Sequence, residues 1–207
     1  MNILVLAKEP VPGRVKTRLC PPCAPDEAAA VAAAALFDTF AAALGAGADR
    51  VIAVLDGQPG DWLPAGVEVR PQASGSFSVR LTAAWASAEG PTLQVGMDTP
   101  QVTAAELASA CTATADAGTA FGPAADGGWW ALGLRRPRSD LFRGVEPSTR
   151  TTGRHQLARL VALGLRPHLL PVRRDVDTWD DAVEVAAAAP GTRFAAAVDA
   201  VRSGCPL

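Results

Sequence analysis

The stretch Asn2–Leu19, NILVLAKEPVPGRVKTRL, joins an apolar strand to a strongly basic loop. Its first five residues, NILVL, predict a buried first strand. The loop that follows is rich in Pro and Gly and carries four cations: Lys8, Arg14, Lys16 and Arg18. In open α/β sheets, ligands bind outside the carboxyl ends of the strands. A cationic loop in that position predicts an anionic ligand, and a nucleotide phosphate is the first hypothesis.

The composition of the chain makes this loop a local feature. The 207 residues are enough for one domain with a sizeable core, and the formal net charge is −2. A mildly acidic balance argues against a general nucleic-acid or anionic-membrane surface. We therefore expect a single domain over residues 1–207 with a discrete anion site and no nucleic-acid partner.

Targeting and membrane signals are not visible in the sequence. The first residues enter the strand without a charged segment followed by a long apolar one, as a signal peptide would have. The Ala-rich stretch from Ala28 to Ala43 is interrupted by Asp38 and Thr39 and has small side chains, so we expect no membrane span. These features predict a cytoplasmic protein.

Strands and helices alternate along the chain. Apolar runs predict strands at 2–6, 50–55, 67–70, 92–95, 119–122, 129–134 and 167–170. Helices are expected at 26–44, 76–88, 103–115, 153–163, 178–188 and 192–201, with Asp26 as the first N-cap and capping boxes at Thr103 and Thr178. The alternation predicts an α/β fold, a Rossmann-like three-layer sandwich with a mostly parallel sheet between helices.

The segment Gly96–Pro100, GMDTP, directly follows the predicted strand at 92–95. A carboxylate at the end of a strand is well placed to hold a divalent cation such as Mg²⁺, together with substrate phosphates. The alternative is that Asp98 only stabilises a turn through the backbone. We favour the metal role because of the position at the strand end.

The segment Gly122–Trp130, GPAADGGWW, places Asp126 before two glycines, which let a backbone approach a ligand closely. Trp129 or Trp130 has the shape to stack on a sugar or base. A turn between two strands with core tryptophans explains the same pattern. Both interpretations remain open.

The segment Asp175–Asp181, DVDTWDD, precedes a predicted helix. Helix capping accounts for Asp181, which stands three residues after Thr178. Capping does not require Asp177, so that residue is the better candidate for a second metal ligand.

Cysteine and histidine provide no convincing catalytic set. Cys20 and Cys23 have the spacing of half a zinc or redox site, but no second half exists to complete it, and Cys111 and Cys205 stand apart. His155 and His168 are better explained as a surface and a structural histidine. The sequence therefore favours a mechanism based on metal, cations and positioning rather than on an activated nucleophile.

These motifs together resemble a family of bacterial proteins with the glycosyltransferase type A (nucleotide-diphospho-sugar transferase) fold, long described as a domain of unknown function. Its members show L-A-K-x-P-x-P-G-x-V-K-T-R-L, G-x-D-T-P, G-P-A-x-D-G-G and D-V-D-T. In this chain the four motifs stand in the same order at Leu6–Leu19, Gly96–Pro100, Gly122–Gly128 and Asp175–Thr178. The resemblance spans nearly the whole chain and implies the same fold.

The end of the basic loop, KTRL, also resembles the K-S-R-L-like segment of 2-phospho-L-lactate and phosphoenolpyruvate guanylyltransferases, which share this fold. The R-M-G-x-x-K loop of molybdenum cofactor guanylyltransferases is absent. The resemblance implies catalytic roles for Lys16, Arg18 and Asp98, with Mg²⁺ or Mn²⁺ held by Asp98 and Asp177. It implies nucleotide contacts from Ala7, Lys8, Gly13, Arg14, Lys16, Arg18 and Gln72, and substrate contacts from Asp126, Gly127, Gly128 and Trp129.

Two segments depart from the family pattern. The segment at 72–80, QASGSFSVR, stands where relatives often have Q-x-x-G-D-L-G-x-R, so Ser76 and Ser78 replace an acidic residue and a glycine. Trp129 and Trp130 stand where the family often has two tyrosines. Both segments are expected near the nucleotide or acceptor, so the departures concern base and acceptor preference.

Two classes of function follow. The first is a metal-dependent transferase that uses an activated nucleotide and a small-molecule acceptor. Glycosyl transfer from an NDP-sugar is the leading version, since the tryptophans favour a sugar, and nucleotidyl transfer with release of pyrophosphate is the alternative. The second class is a non-catalytic nucleotide-binding protein, which would need the basic loop but not three acidic motifs.

Overall fold

A computed structural model describes residues 1–204, so Cys205 lies outside the described residues. Each predicted strand and helix is present in it, with ends shifted by at most three residues. The strands are β1 (Asn2–Lys8), β2 (Arg50–Asp56), β3 (Glu68–Pro71), β4 (Thr92–Val95), β5 (Thr119–Pro123), β6 (Trp129–Leu134) and β7 (His168–Leu169). The helices are α1 (Pro25–Gly45), α2 (Phe77–Ala86), α3 (Ala104–Ala117), α4 (Thr152–Ala162), α5 (Trp179–Ala188) and α6 (Arg193–Ser203).

The seven strands form one sheet in the order β3-β2-β1-β4-β6-β5-β7. Every neighbouring pair is parallel except those that include β6, which runs antiparallel to both β4 and β5. The connection from β5 to β6 is residues 124–128, too short for the crossover that parallel strands require. The predicted α/β fold with a mostly parallel sheet is therefore confirmed.

The strand order reverses at β1 and β4, which form the topological switch point of the sheet. From β1 it proceeds outward to β2 and β3, and it then returns to β4 on the other side of β1. The two strands are parallel, with Asn2 beside Thr92 and Val5 beside Val95. Their carboxyl ends therefore open into the crevice where ligands of open α/β sheets bind.

Helices cover both faces of the sheet. Ile3 and Val5 of β1 pack in a cluster with residues of α1 and α3, whereas Leu4 and Leu6 pack with residues of α2 and α4. This division follows from the alternation of side chains along a strand. A third cluster, between α1, α5 and α6, adds a further layer outside α1 and includes the buried Phe194.

Helix α1 is apolar on most of its surface because it is packed on two sides. By length and composition alone it passes as one membrane-span candidate, but half of the relevant window is buried inside the structure. A helix enclosed between the sheet and α6 explains the same composition without a membrane.

One predicted helix start is wrong. Ala24, not Asp26, is the N-cap of α1, Pro25 is the first helical residue, and the Glu27 carboxylate accepts a hydrogen bond from the Ala24 N–H at 2.7 Å. Pro is favoured at that first position because its missing N–H is not needed there. The capping boxes expected at Thr103 and Thr178 are both confirmed.

Candidate functional site

The basic loop between β1 and α1 is held in place by two buried side chains. Val15 packs against Ala29 and Ala32 of α1, and Leu19 is fully buried among residues of α1, α5 and α6. Between these anchors the chain forms a short 3-10 helix, Thr17–Leu19. The cations that alternate with the anchors are thereby presented at the carboxyl edge of the sheet.

A cavity of about 240 Å³ lies at this edge, beside the ends of β1 and β4. All four cations of the loop line it, together with residues that follow β4 and β7: Lys8, Arg14, Val15, Lys16, Thr17, Arg18, Met97, Asp98 and Asp177. Within the loop, the Lys8 ammonium donates a hydrogen bond to the Arg14 carbonyl at 3.0 Å. The structure thus brings the predicted basic loop, Asp98 and Asp177 to one place.

Lys16 is the most enclosed cation of the cavity. Its side chain is 9% exposed, and its ammonium lies 2.6 Å from Oδ1 of Asp98 and donates to the carbonyl of Val176. The backbone of Lys16 is left-handed, with φ of 48°, which is uncommon for a residue other than glycine. Such conformations are frequent at functional sites because they aim a side chain at a cost in backbone strain.

Asp98 connects the loop after β4 with the segment before α5. Its carbonyl accepts a hydrogen bond from the Val176 N–H at 2.8 Å, while its carboxylate meets Lys16. That segment also runs alongside the end of β5, where the Ala125 N–H donates to the Arg173 carbonyl at 2.8 Å. Backbone hydrogen bonds therefore hold together loops that are far apart in sequence, and they fix the positions of these loops.

Asp175 is the residue that sequence reasoning missed. Its Oδ1 is buried and has no hydrogen-bond partner among the described residues. Burial raises the pKa of Asp175 to about 7, repulsion from Asp126 and Asp98 adds to the rise, and Lys16 acts in the opposite direction. The sequence contains one signal for it, since Asp175 stands two residues before Asp177 and neither belongs to the capping box of α5.

Asp177 faces the solvent side of the same cavity. Its Oδ2 lies 3.2 Å from Nη1 of Arg18, and the two side chains are 42% and 72% exposed. An ion pair this exposed contributes little to stability, so both groups are available to a ligand.

The turn after β5 is packed tightly against the start of α4. Asp126 Oδ1 accepts a hydrogen bond from the Gly128 N–H at 2.7 Å, and the Gly127 carbonyl accepts one from the Gly153 N–H at 2.8 Å. A Cβ atom on Gly127 would overlap the Arg150 carbonyl oxygen, and φ at Gly127 is +93°. Gly127 is therefore required by the turn itself, whether or not a ligand approaches it.

The tryptophans after this turn serve the core. Trp130 is 2% exposed and donates through Nε1 to the Pro171 carbonyl at 2.9 Å. Trp129 is half-buried and stacks on Phe142, with ring centroids 6.4 Å apart. The core interpretation holds for Trp130, and a contact of Trp129 with substrate stays a prediction.

Gln72 bridges strands instead of pointing freely at the cavity. Its amide nitrogen donates to the Val54 carbonyl at 3.1 Å and lies 3.5 Å from the carbonyl of the buried Ala7. Its amide oxygen accepts from Arg80. Ser76, the first departure from the family pattern, caps α2 by accepting a hydrogen bond from the Val79 N–H. Contacts of Gln72, Ala7 and Gly13 with a nucleotide stay predictions.

Within the described part of the chain, the cysteines and histidines take no part in this arrangement. Burial, with Cys20 and Glu27 nearby, raises the pKa of the Cys23 thiol to about 11. His155 and His168 are exposed. Over residues 1–204, no three His, Cys, Asp or Glu side chains are grouped closely enough to hold a metal ion by themselves.

The donor set nevertheless suits a divalent cation that shares its ligands with a substrate. Carboxylate oxygens are the ligands that Mg²⁺ and Mn²⁺ accept, and Mg²⁺ is commonly bound through one or two carboxylates plus phosphates. Asp98 and Asp177 line the cavity with the cations, and the unpartnered buried oxygen of Asp175 belongs to the same group of carboxylates.

The sequence matches the family described as "uncharacterized protein conserved in bacteria" (DUF2064) over residues 28–149. The chain belongs to this family. The matched part includes Asp98 and Asp126, and the family expected from the four motifs is confirmed. No curated protein matches the sequence.

Solved structures resemble this DUF2064 protein over most of its length. A candidate nucleotide-diphospho-sugar transferase from Desulfovibrio desulfuricans is 22% identical, with a TM-score of 0.84 over 98% of this chain and 94% of that chain. Rv0371c from Mycobacterium tuberculosis, in complex with manganese, is 22% identical, with a TM-score of 0.54 and coverages of 89% and 96%. The 2-C-methyl-D-erythritol 4-phosphate cytidylyltransferase of Thermus thermophilus is 16% identical, with a TM-score of 0.53 and coverages of 97% and 98%. At these identities the similarities establish the fold.

Proposed function

We propose that this DUF2064 protein is a metal-dependent transferase that uses an activated nucleotide, and that it transfers a glycosyl group from an NDP-sugar. The contact between Lys16 and Asp98, 2.6 Å long, carries the proposal. The contact links two groups of side chains: a loop of cations that suits phosphates, and carboxylates that suit a divalent cation. A non-catalytic nucleotide-binding protein would need only the cations.

The cations of the loop would bind the diphosphate of the donor. Lys8, Arg14, Lys16 and Arg18 all line the cavity. When the bond between sugar and phosphate oxygen breaks, negative charge grows on the departing diphosphate. Lys16 and Arg18, at the carboxylate end of the cavity, would stabilise that charge in a partly enclosed site.

Asp98 and Asp177 would hold the metal, with Asp175 beside them. A divalent cation bound there supplies Lewis-acid stabilisation of the phosphate oxygens. The manganese complex of Rv0371c supports metal use in this fold, and either Mg²⁺ or Mn²⁺ suits carboxylate ligands.

Asp126, Gly127, Gly128 and Trp129 would form the substrate side of the site. The Ala125 N–H donates to the Arg173 carbonyl at 2.8 Å, which joins this turn to the segment that includes Asp175 and Asp177. The tryptophans no longer favour a sugar, because Trp130 is buried and Trp129 stacks on Phe142. Support for a glycosyl donor now comes from the fold similarity to the nucleotide-diphospho-sugar transferase candidate.

Nucleotidyl transfer is the second candidate. Four cations around one cavity match the charge of a nucleoside triphosphate, and cytidylyltransferases share the fold. In this version a phosphate of the acceptor attacks the α-phosphorus of the NTP and pyrophosphate leaves. The same cations would stabilise the pyrophosphate.

The test is to incubate the protein and Mn²⁺ with a panel of NDP-sugars, and separately with NTPs and phosphorylated acceptors. Release of NDP, including slow hydrolysis by water, supports glycosyl transfer, whereas release of pyrophosphate supports nucleotidyl transfer. Asp98→Asn should lower the rate by about 100-fold or more, the usual loss when a group that stabilises developing charge is removed.

Asp116→Asn is the matched control. Asp116 is exposed near the end of α3, at the opposite edge of the sheet, and its substitution removes the same charge. Nucleotide binding that needs no metal and survives Asp98→Asn would overturn the transferase proposal.

A further inference from the structure

The four cations of the cavity are not equivalent. Lys16 is turned inward, with its ammonium shared between the Asp98 carboxylate and the Val176 carbonyl, and its side chain is 9% exposed. Arg18 is 72% exposed, and the Lys8 ammonium donates to the Arg14 carbonyl of its own loop. Of the two carboxylates proposed to hold the metal, Asp98 is paired with the enclosed Lys16, whereas Asp177 is paired with the exposed Arg18.

The contact between Lys16 and Asp98 neutralises one of several neighbouring carboxylates. Asp98 and Asp177 line the same cavity, and Asp175 stands two residues before Asp177 with its Oδ1 buried and without a hydrogen-bond partner among the described residues. A divalent cation approaching Asp98 alone would meet a positive charge already 2.6 Å from Oδ1. Repulsion between the two cations opposes binding of the metal by itself.

A polyphosphate removes this obstacle. Its oxygens offer the Lys16 ammonium another partner within the cavity, and the released Asp98 oxygen becomes available. The loop backbone need not move, because Val15 and Leu19 anchor it on both sides of Lys16 and Arg18. Only a flexible four-carbon side chain must change its position.

We infer that Lys16 is an internal substitute for the metal, so that the divalent cation and the nucleotide phosphates bind as a coupled pair and the metal binds weakly alone. The inference rests on the proposed function of the same site. By thermodynamic linkage, the nucleotide must raise metal affinity by the same factor by which the metal raises nucleotide affinity.

The test measures binding of Mn²⁺ alone by electron paramagnetic resonance, which reports free Mn²⁺. Lys16→Met should bind Mn²⁺ at least about tenfold more tightly than the wild type, within the usual range of coupling between sites. Lys8→Met is the matched control, since it removes the same charge from the same cavity without freeing a carboxylate. The double variant Lys16→Met, Asp98→Asn should lose the gain.

Three results would overturn the inference: Lys16→Met binds Mn²⁺ no more tightly than the wild type, Lys8→Met gains as much, or the gain persists without Asp98. Because Lys16 also bonds to Val176, circular dichroism should confirm that the variant is folded. If it is not, Lys16→Gln removes the charge and keeps an amide donor for that carbonyl, and the same comparison is made with it.

Equilibrium dialysis of labelled UDP, GDP and CDP extends the test to the coupling. Their binding should depend on Mn²⁺ in the wild type and depend on it less in Lys16→Met, and equal dependence would count against the inference. The Mn²⁺ measurement uses neither nucleotide nor turnover. If Lys16→Met gains Mn²⁺ affinity but the wild type has no transferase activity, the inference stands and the proposed function is refuted. If the wild type is active but Lys16→Met shows no gain, the proposed function stands and the inference is refuted.

Discussion

Lys16 shows how one position combines local and distant constraints. Its neighbour Val15 and the nearby Leu19 are buried, so the intervening side chains must face the cavity edge. Its left-handed backbone, φ 48°, orients the ammonium toward Asp98, a residue 82 positions later. The basic pattern of the loop predicted positive charge at this place, but it did not distinguish the enclosed Lys16 from the exposed Arg18.

The aspartates before α5 make a similar point. Sequence reasoning selected Asp177 because helix capping did not need it. The structure adds Asp175, whose Oδ1 is buried while Asp177 reaches solvent. The difference between the two arises from the neighbouring loops after β4 and β5, which no pattern within the segment itself encodes.

Cys23 is predicted to be unreactive. Because burial raises its pKa to about 11, at pH 8 only about one thiol in a thousand is the reactive thiolate. Native protein treated with iodoacetamide at pH 8 should be alkylated at Cys20 well before Cys23, as read by peptide mass spectrometry. Equal alkylation under native conditions would contradict the burial, and denatured protein, in which both should react, is the control.

At the scale of elements, the capping motifs that depend on neighbouring residues were predicted correctly at α3 and α5 but not at α1. The capping boxes at Thr103 and Thr178 each depend on a side chain three positions away. The start of α1 was misplaced because Asp26 is a common N-cap, whereas Pro25 already occupied the first helical position. The direction of β6 follows from the short turn before it, which alternation of strands and helices does not reveal.

Glu106 at the start of α3 should contribute to stability in a pH-dependent way. Burial alone would raise its pKa, but hydrogen bonds from Thr103 and the ion pair with Arg173 lower it below its usual value. A lowered pKa stabilises the fold above the unfolded-state value, and this contribution is lost as pH falls through the folded-state value. Glu106→Gln should therefore cost up to about 1 kcal/mol at pH 7, because Gln keeps an acceptor for the capping box but loses the charge that pairs with Arg173.

The difference between Glu106→Gln and the wild type should begin to shrink below about pH 4.3, the ordinary pKa of glutamate, and should disappear below the lowered folded-state pKa, where both side chains are uncharged. Urea unfolding at pH 7 and at lower pH measures it. Glu146→Gln is the control, since Glu146 is exposed and its carboxylate has no partner within residues 1–204. A cost for Glu106→Gln that does not change with pH would contradict the assignment.

At the scale of the whole molecule, α1 links the sheet to the layer formed by α5 and α6. Asp38, on α1, accepts hydrogen bonds from the N–H groups of Arg193 and Phe194 at the start of α6. In the sequence, Asp38 is noticeable only as an interruption of the Ala-rich stretch. The single-domain organisation over residues 1–207 stays a prediction, although one sheet includes strands from Asn2 to Leu169.

Phe194→Ala should weaken this outer layer. Phe194 is fully buried between α1, α5 and α6, and removal of a buried aromatic ring costs about 3–5 kcal/mol because a cavity remains. Urea unfolding measures the loss. Val161→Ala on α4, where the side chain is 60% exposed, should change stability by no more than about 0.5 kcal/mol. Similar costs for the two variants would refute the packing of α6.

The sequence by itself determined the strands and helices, the basic loop after β1 and the carboxylates at strand ends, because hydrophobic periodicity, capping and local charge act over a few residues. Only the tertiary structure decided that Lys16 reaches Asp98, that Asp175 is buried beside them and that Trp130 belongs to the core. These contacts and burials depend on the strand order and on backbone hydrogen bonds between loops that are distant in sequence. Burial and pairing of charge are properties of neighbours in space, and the chain acquires those neighbours only by folding.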